Sequence, residues 1–297
     1  MDPSNTHEHL KLVRSLFPDL ASTLDAAHER HRAEPHGDEI SGDDFDSWLD
    51  SEAEQLRAGA LGQAPFARLP EATASNFERA FRAARAAGEL LGVQLPEPES
   101  FAAAGVDLAH LGALLLADPD LLPVPTPYGL GADAWRAAFR REASGGSRSL
   151  TVTPERPDAL MIAAEALTEF TLLDACEDAA VPTVIETGRT TGSAGSTAPV
   201  TWSLRLVPAG AKPSVLGLGF SHGPHVTLPE ILMIQLMRST QDEPLIDASS
   251  FTWLAGALND GRLAARHVFD ESEGVIRVNC REVGNQGPHL GARPPVT

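Results

Sequence analysis

Four prolines, Pro119, Pro123, Pro125 and Pro127, crowd the stretch Asp118–Gly131. Proline lacks the amide hydrogen that a helix interior and a central strand both use, so this stretch is excluded from either role. It reads as a rigid connector over residues 118–131, and it divides the chain. Residues 1–117 read as an acidic, mostly helical region, and residues 132–283 as an α+β domain. Within that domain the Gly/Ser/Thr-rich run 187–198 reads as a flexible loop. Residues 284–297 are rich in Gly and Pro and read as an extended tail.

The periodicities on the two sides of the connector differ. Leu12, Val13, Leu16 and Leu20 recur at helical spacing. Ser75 and Glu78 form a capping-box pattern, with Phe77, Phe81 and Ala84 along one face, and a short helix is expected over 107–117. Beyond residue 200 the period becomes two: Trp202, Leu204 and Leu206 share one face, as do Leu216, Leu218 and Phe220. Thr227-Leu-Pro-Glu230 is a second capping box, opening a helix through Met237 that is apolar nearly all round. Residues 158–175 and 251–258 read as helices. Residues 262–269 and 274–283 flank Asp270-Glu-Ser-Glu273 as a hairpin. The expected fold class is α+β: a helical N-terminal segment followed by a C-terminal α/β sandwich with a mainly antiparallel sheet.

Charge excludes some partners. The net charge is −18, and residues 1–100 hold 19 acids against 9 bases, whereas residues 251–297 hold five of each. Nucleic acid and anionic membrane are therefore not expected as partners, since phosphate neutralisation needs clustered bases. The longest candidate for a membrane span, Ile231–Met237, is far short of the ~20 apolar residues that a bilayer requires. Met1–Leu10 is polar, without the apolar stretch of a secretory signal, so the expected location is cytoplasmic. Cys176 and Cys280 form no Cys-x-x-Cys pattern.

The hairpin carries the most constrained inference. Aligning Leu263, Ala265 and His267 with Ile276, Val278 and Cys280 on one face pairs Arg266 with Arg277 and Arg262 with Arg281. Four arginines then line the opposite face, and like charges set directly opposite destabilise a sheet unless something compensates. Compensation comes either from the chain itself, through its acidic N-terminal half or the nearby Glu273 and Glu282, or from a partner: an acidic protein or an anionic ligand gripped by guanidinium forks. A non-catalytic binding or adaptor role through Arg262, Arg266, Arg277 and Arg281 is the leading expectation.

Two other constellations are present. Gly219-Phe220-Ser221-His222-Gly223 matches G-x-S-x-G after a strand and resembles the nucleophile elbow of α/β-hydrolases. That resemblance implies a serine hydrolase with Ser221 as nucleophile, Asp247 or Asp260 as acid and His267 or His289 as base. Pro224 and Pro229 depart from it, falling where the helix behind the serine would run. His222, His225 and His289, carried by two Gly-Pro-His segments, are a candidate metal ligand set. No cofactor is expected: Gly188–Gly195 lacks the Walker lysine, and Gly217-Leu-Gly219 does not extend to G-x-G-x-x-G.

Overall fold

The computed structural model describes residues 66, 69–176, 180–186 and 200–297. These fall in one compact unit, Gln63–Thr297. The expectations for residues 1–65 and for the loop 187–198 lie outside the described residues.

The first described helix, α1 (Glu71–Leu91), starts a turn before the Ser75 capping pattern, behind Pro70. It buries Thr73, Phe77, Ala80, Phe81, Ala84, Ala87 and Leu91, a stripe at three- and four-residue spacing. Gly92 ends it in the left-handed region at φ 66°, where the Gly92 and Val93 amides close back on Glu89 and Gly88. Short helices α2 (Pro98–Ala103) and α3 (Leu108–Ala117) follow, and Phe101 meets Phe81 edge-on at 5.8 Å.

The proline-rich stretch is not a connector. Leu121–Tyr128 forms strand β1, paired antiparallel along its whole length with β4 (Val200–Pro208). The prolines do not prevent this, because they alternate. An antiparallel ladder uses the amides of every second residue, so Leu122, Val124, Thr126 and Tyr128 serve β4. The nitrogens of Pro123, Pro125 and Pro127 point away from it, as an edge strand allows. The sheet is β1–β4–β3, with β3 at Thr183–Glu186. Buried residues from α1 to β8 form one apolar cluster, so packing is continuous across residue 118.

After β1 come α4 (Ala132–Ser144), β2 (Leu160–Ile162) and two short helices, α5 (Ala164–Thr168) and α6 (Phe170–Leu173). The single helix expected over 158–175 is thus broken into three pieces. The second sheet is mixed, with strand order β2–β8–β7–β6–β9–β5. Its strands are β5 (Val215–Leu216), β6 (Phe251–Leu258), β7 (Leu263–Asp270), β8 (Val275–Glu282) and β9 (Leu290–Ala292). Only β2–β8 and β6–β9 pair in parallel. Residues 251–258 are a strand rather than a helix: the run is apolar throughout, so it carries no period to separate the two. The Gly/Pro-rich tail supplies β9. The molecule is α+β, as the sequence implies.

Helix α7 (Leu228–Ser239) joins the two sheets. Both halves of its capping box form, with Glu230 N donating to Thr227 Oγ1 and Thr227 N donating to Glu230 Oε2. Every residue but Arg238 is buried. Three polar side chains, Glu230, Gln235 and Ser239, lie on that buried surface, and the first two reach the sheets. Glu230 receives Arg205 of β4 in a bidentate pair at 2.6 and 2.7 Å. Gln235 bonds both backbone groups of Ile246 that face it, at 2.9 and 3.2 Å, and reaches His267 of β7 at 3.1 Å. Tyr128 lies between Thr227 and Ser203; burial, helped by the charge of Glu230, pushes its phenol well above the ordinary value and keeps it protonated.

Removing one member of a buried ion pair strands the other. Glu230→Ala is expected to destabilise the protein by about 3–5 kcal/mol in urea unfolding. A loss under ~1 kcal/mol would show that Arg205 finds another partner.

Candidate functional site

The hairpin register is set by its turn. Ser272 Oγ and Glu273 N both donate to Asp270 Oδ1, and Gly274 occupies the left-handed region at φ 64°. These fix the loop at residues 271–274 and pair Asp270 with Val275. The expected register is therefore displaced by two residues. Arg266 faces Asn279, Arg277 faces Val268 and Arg281 faces Ala264, so no arginine sits directly opposite another. A two-residue shift preserves the faces. Arg266, Arg277 and Arg281 still share one side of the hairpin. Arg262 lies just before β7 and its carbonyl accepts from Val283 N, which continues the pairing by one further level on the same side.

The four arginines are not equivalent. Arg277 is neutralised within the hairpin, by Asp270 at 3.2 Å and by Glu273, which also holds Arg156. Arg262, Arg266 and Arg281 form no ion pair among the described residues. Glu282, opposite Leu263, points to the other face and does not compensate them. Arg266 is half-buried, with its guanidinium 4.0 Å above the Phe251 ring and its Nε buried without a hydrogen-bond partner. Burial, and then the charge of Arg281, lower the Arg266 pKa from its usual value. Phe251 belongs to a small apolar cluster at one end of this face, with Trp253, Ala264, Leu290, Phe220 and Val283.

The G-x-S-x-G segment lies beside that cluster as a single 3-10 turn, Phe220–His222. Phe220 N donates to Val283 O, and the Phe220 ring meets Trp253 edge-on and stacks on His225. Ser221 is exposed, and α7 does not begin until Leu228, so no strand–serine–helix elbow forms. The acid and base of the hydrolase reading do meet: His267 Nδ1 donates to Asp247 Oδ2 at 2.9 Å. Both are fully buried, however, and the Nε2 that would accept a serine proton accepts from the Gln235 amide instead. Gln235 is held in that orientation by Ile246. Asp260 lies in the tight turn before β7, and His289 is exposed, joined to β6 through its carbonyl. The structure does not bring Ser221 to a base.

The candidate metal ligands are likewise spent locally. His222 Nδ1 donates to Gly219 O, and His225 Nε2 bonds Phe220 O. Among the described residues no group of three His, Cys, Asp or Glu side chains is placed to hold a metal ion. Burial lowers the His225 pKa despite that carbonyl, so its stacked ring is neutral and adds no charge to the arginine face.

Two buried carboxylates carry perturbed chemistry; the sequence put Asp247 forward only as a hydrolase acid and did not mark Asp174. Asp247 adopts φ 65° and accepts from Arg293, Thr252 and His267. Arg293, in the tail, is fully buried and also donates to Pro208 O at 2.7 Å. Burial raises the Asp247 pKa, but the bonds from His267 and Arg293 outweigh it and leave it below the ordinary value. Asp174 accepts the Gly131 amide at 2.7 Å at the start of α4, facing the Trp135 indole. Its Oδ1 and the Trp135 Nε1 both fall short of hydrogen-bond geometry. Burial therefore dominates and raises Asp174 to about 6. The charged partners of Asp247, His267 and Arg293, are 20 and 46 residues away and the Asp174 amide donor is 43 away, so no local pattern reports them.

A cavity of about 440 Å³ opens where α1, α4 and α7 end, lined by Glu89, Arg141, Glu142, Ser147, Ser239 and Asp242 among others. Ser239 donates to Glu142 at 2.7 Å and meets Ser147 at 2.9 Å, while Ser147 Oγ accepts the Ser149 and Leu150 amides. These hydroxyls tie helix ends together. The chain matches no known protein family, no curated protein and no solved structure. No helix among the described residues is long and apolar enough to cross a membrane.

The two carboxylates give opposite pH dependences. Asp174 binds its proton more tightly when folded, so its contribution favours folding at low pH and fades as pH rises from 3.8 through about 6. Asp174→Asn is expected to remove that decline from a plot of urea midpoint against pH; an unchanged profile would refute the buried-carboxyl assignment. Asp247 binds its proton less tightly when folded, so its contribution is full above 3.8 and is lost as pH falls through its folded value. His267→Gln removes part of that depression and is expected to make the acid limb shallower, and an unchanged limb would count against the ionic network.

Proposed function

We propose that this protein is a non-catalytic binding protein that engages an anionic partner through the outer face of its six-stranded sheet. The observation that supports the reading best is Arg266. It is a half-buried cation with no carboxylate partner, stacked on Phe251 and repelled by Arg281. A partly desolvated charge without a counter-charge is a cost to the free protein that a bound anion relieves. Arg277 has its own acids, so the binding residues reduce to Arg262, Arg266 and Arg281.

A catalytic reading has less support. Among the described residues Ser221 has no base within reach, and His267, which is paired with Asp247, has both ring nitrogens engaged in the interior.

Fluorescence anisotropy of the full chain with labelled poly-glutamate tests the proposal. Binding is expected to weaken steeply with added salt, as it does for exposed charges. Arg266→Glu/Arg281→Glu is expected to weaken it by at least about tenfold, while Ser221→Ala leaves it unchanged. Failure of the wild-type chain to bind any polyanion at low salt would overturn it.

A further inference from the structure

We infer that the partner of the arginine face is an acidic polypeptide lying extended along the hairpin, with carboxylates on alternate residues and one of them seated on Arg266. This rests on the binding reading above. The three unpaired arginines occupy consecutive levels of the hairpin: Arg266 beside Asn279, Arg281 beside Ala264, and Arg262 beside Val283. Successive levels are two residues apart, about 6.7 Å at the strand rise. Side chains on one side of an extended peptide repeat at that same interval. One anion can bridge two neighbouring guanidinium groups, but three at successive levels extend over about 13 Å, and a chain of anions matches all of them.

Two polymers carry anions at such spacing, acidic polypeptides and single-stranded nucleic acids. The aromatic residues decide between them. Sequence-tolerant binding of single strands relies on free ring faces on which bases stack. Here the Phe251 ring is covered by the Arg266 guanidinium, Phe220 is stacked on His225, and Trp253 is fully buried. The arrangement offers cations and no stacking platform. Phe251 acts as a positioning residue: it holds the guanidinium in one plane, so that a planar carboxylate meets two parallel N–H donors.

Two labelled twelve-residue peptides of identical composition test the inference on the wild-type chain: glutamate alternating with serine, and six glutamates followed by six serines. A twelve-nucleotide oligothymidylate is the third probe. The alternating peptide is expected to bind several-fold tighter than the block peptide and tighter than the oligonucleotide. Arg266→Lys keeps the charge but loses the fork, and is expected to weaken the alternating peptide about tenfold. Phe251→Leu, which changes no charge, is expected to do the same. Equal affinity for both peptides with unaffected variants would overturn the inference and leave the binding reading standing as diffuse attraction. Preference for the oligonucleotide would overturn the polypeptide assignment. No binding of any of the three would remove both. The peptide comparison uses no variant, so it stands even if a substitution at residue 251 or 266 perturbs folding.

Discussion

The rest of the architecture hangs on two polar side chains of one buried helix. Glu230 and Gln235 are five residues apart on α7, about 140° around its axis at 100° per residue, and so they reach in different directions. One closes on Arg205 in the three-stranded sheet, the other on His267 in the six-stranded sheet. An apolar helix slides and rotates against its neighbours at small cost, because dispersion and burial are not directional. A charge pair in the interior has one acceptable geometry, and displacement leaves an ion unpaired. The helix is thereby registered against both sheets at once. The Asp247–His267–Arg293 network extends the same logic to the tail, which it holds against β4 and β6.

Local patterns were legible where a rule had a short-range cause. The Thr227–Glu230 box, the Phe77/Phe81/Ala84 stripe and the two-residue alternation in 200–207 each describe neighbours, and each appears as read. The hairpin was legible as a hairpin, but its register came from Asp270 and Gly274 closing the loop rather than from the apolar alignment. The alternation fixed which face the arginines share, since parity survives a two-residue shift, and left their partners undetermined. The strand over 251–258 was missed because a nearly uninterrupted apolar run fits either periodicity; in 158–175, where Glu165, Glu169 and Asp174 interrupt the apolar residues, the strand Leu160–Ile162 is too short to show a period.

What the sequence hid is mostly long-range compensation. The match at Ser221 satisfied a five-residue pattern while lacking a strand-to-helix junction, and the Asp247–His267 pair satisfied a chemical relation while facing away from any nucleophile. Both were true local facts with no shared site. The arginine face shows the converse. Four like residues looked equivalent in the chain, and only the placement of Glu273 and Asp270 beside one of them separates a neutralised arginine from three that form no ion pair among the described residues.

The alternating prolines of β1 have a consequence for what can stand at those positions. Pro123, Pro125 and Pro127 are all buried, so the outer margin of this edge strand is covered by the protein itself rather than open to other molecules. A buried amide without a partner is costly. With proline at every second position the outward row of donors is missing, while the inward amides still bind β4. Replacing the prolines with β-branched residues would keep the strand and place three N–H groups where no strand accepts them.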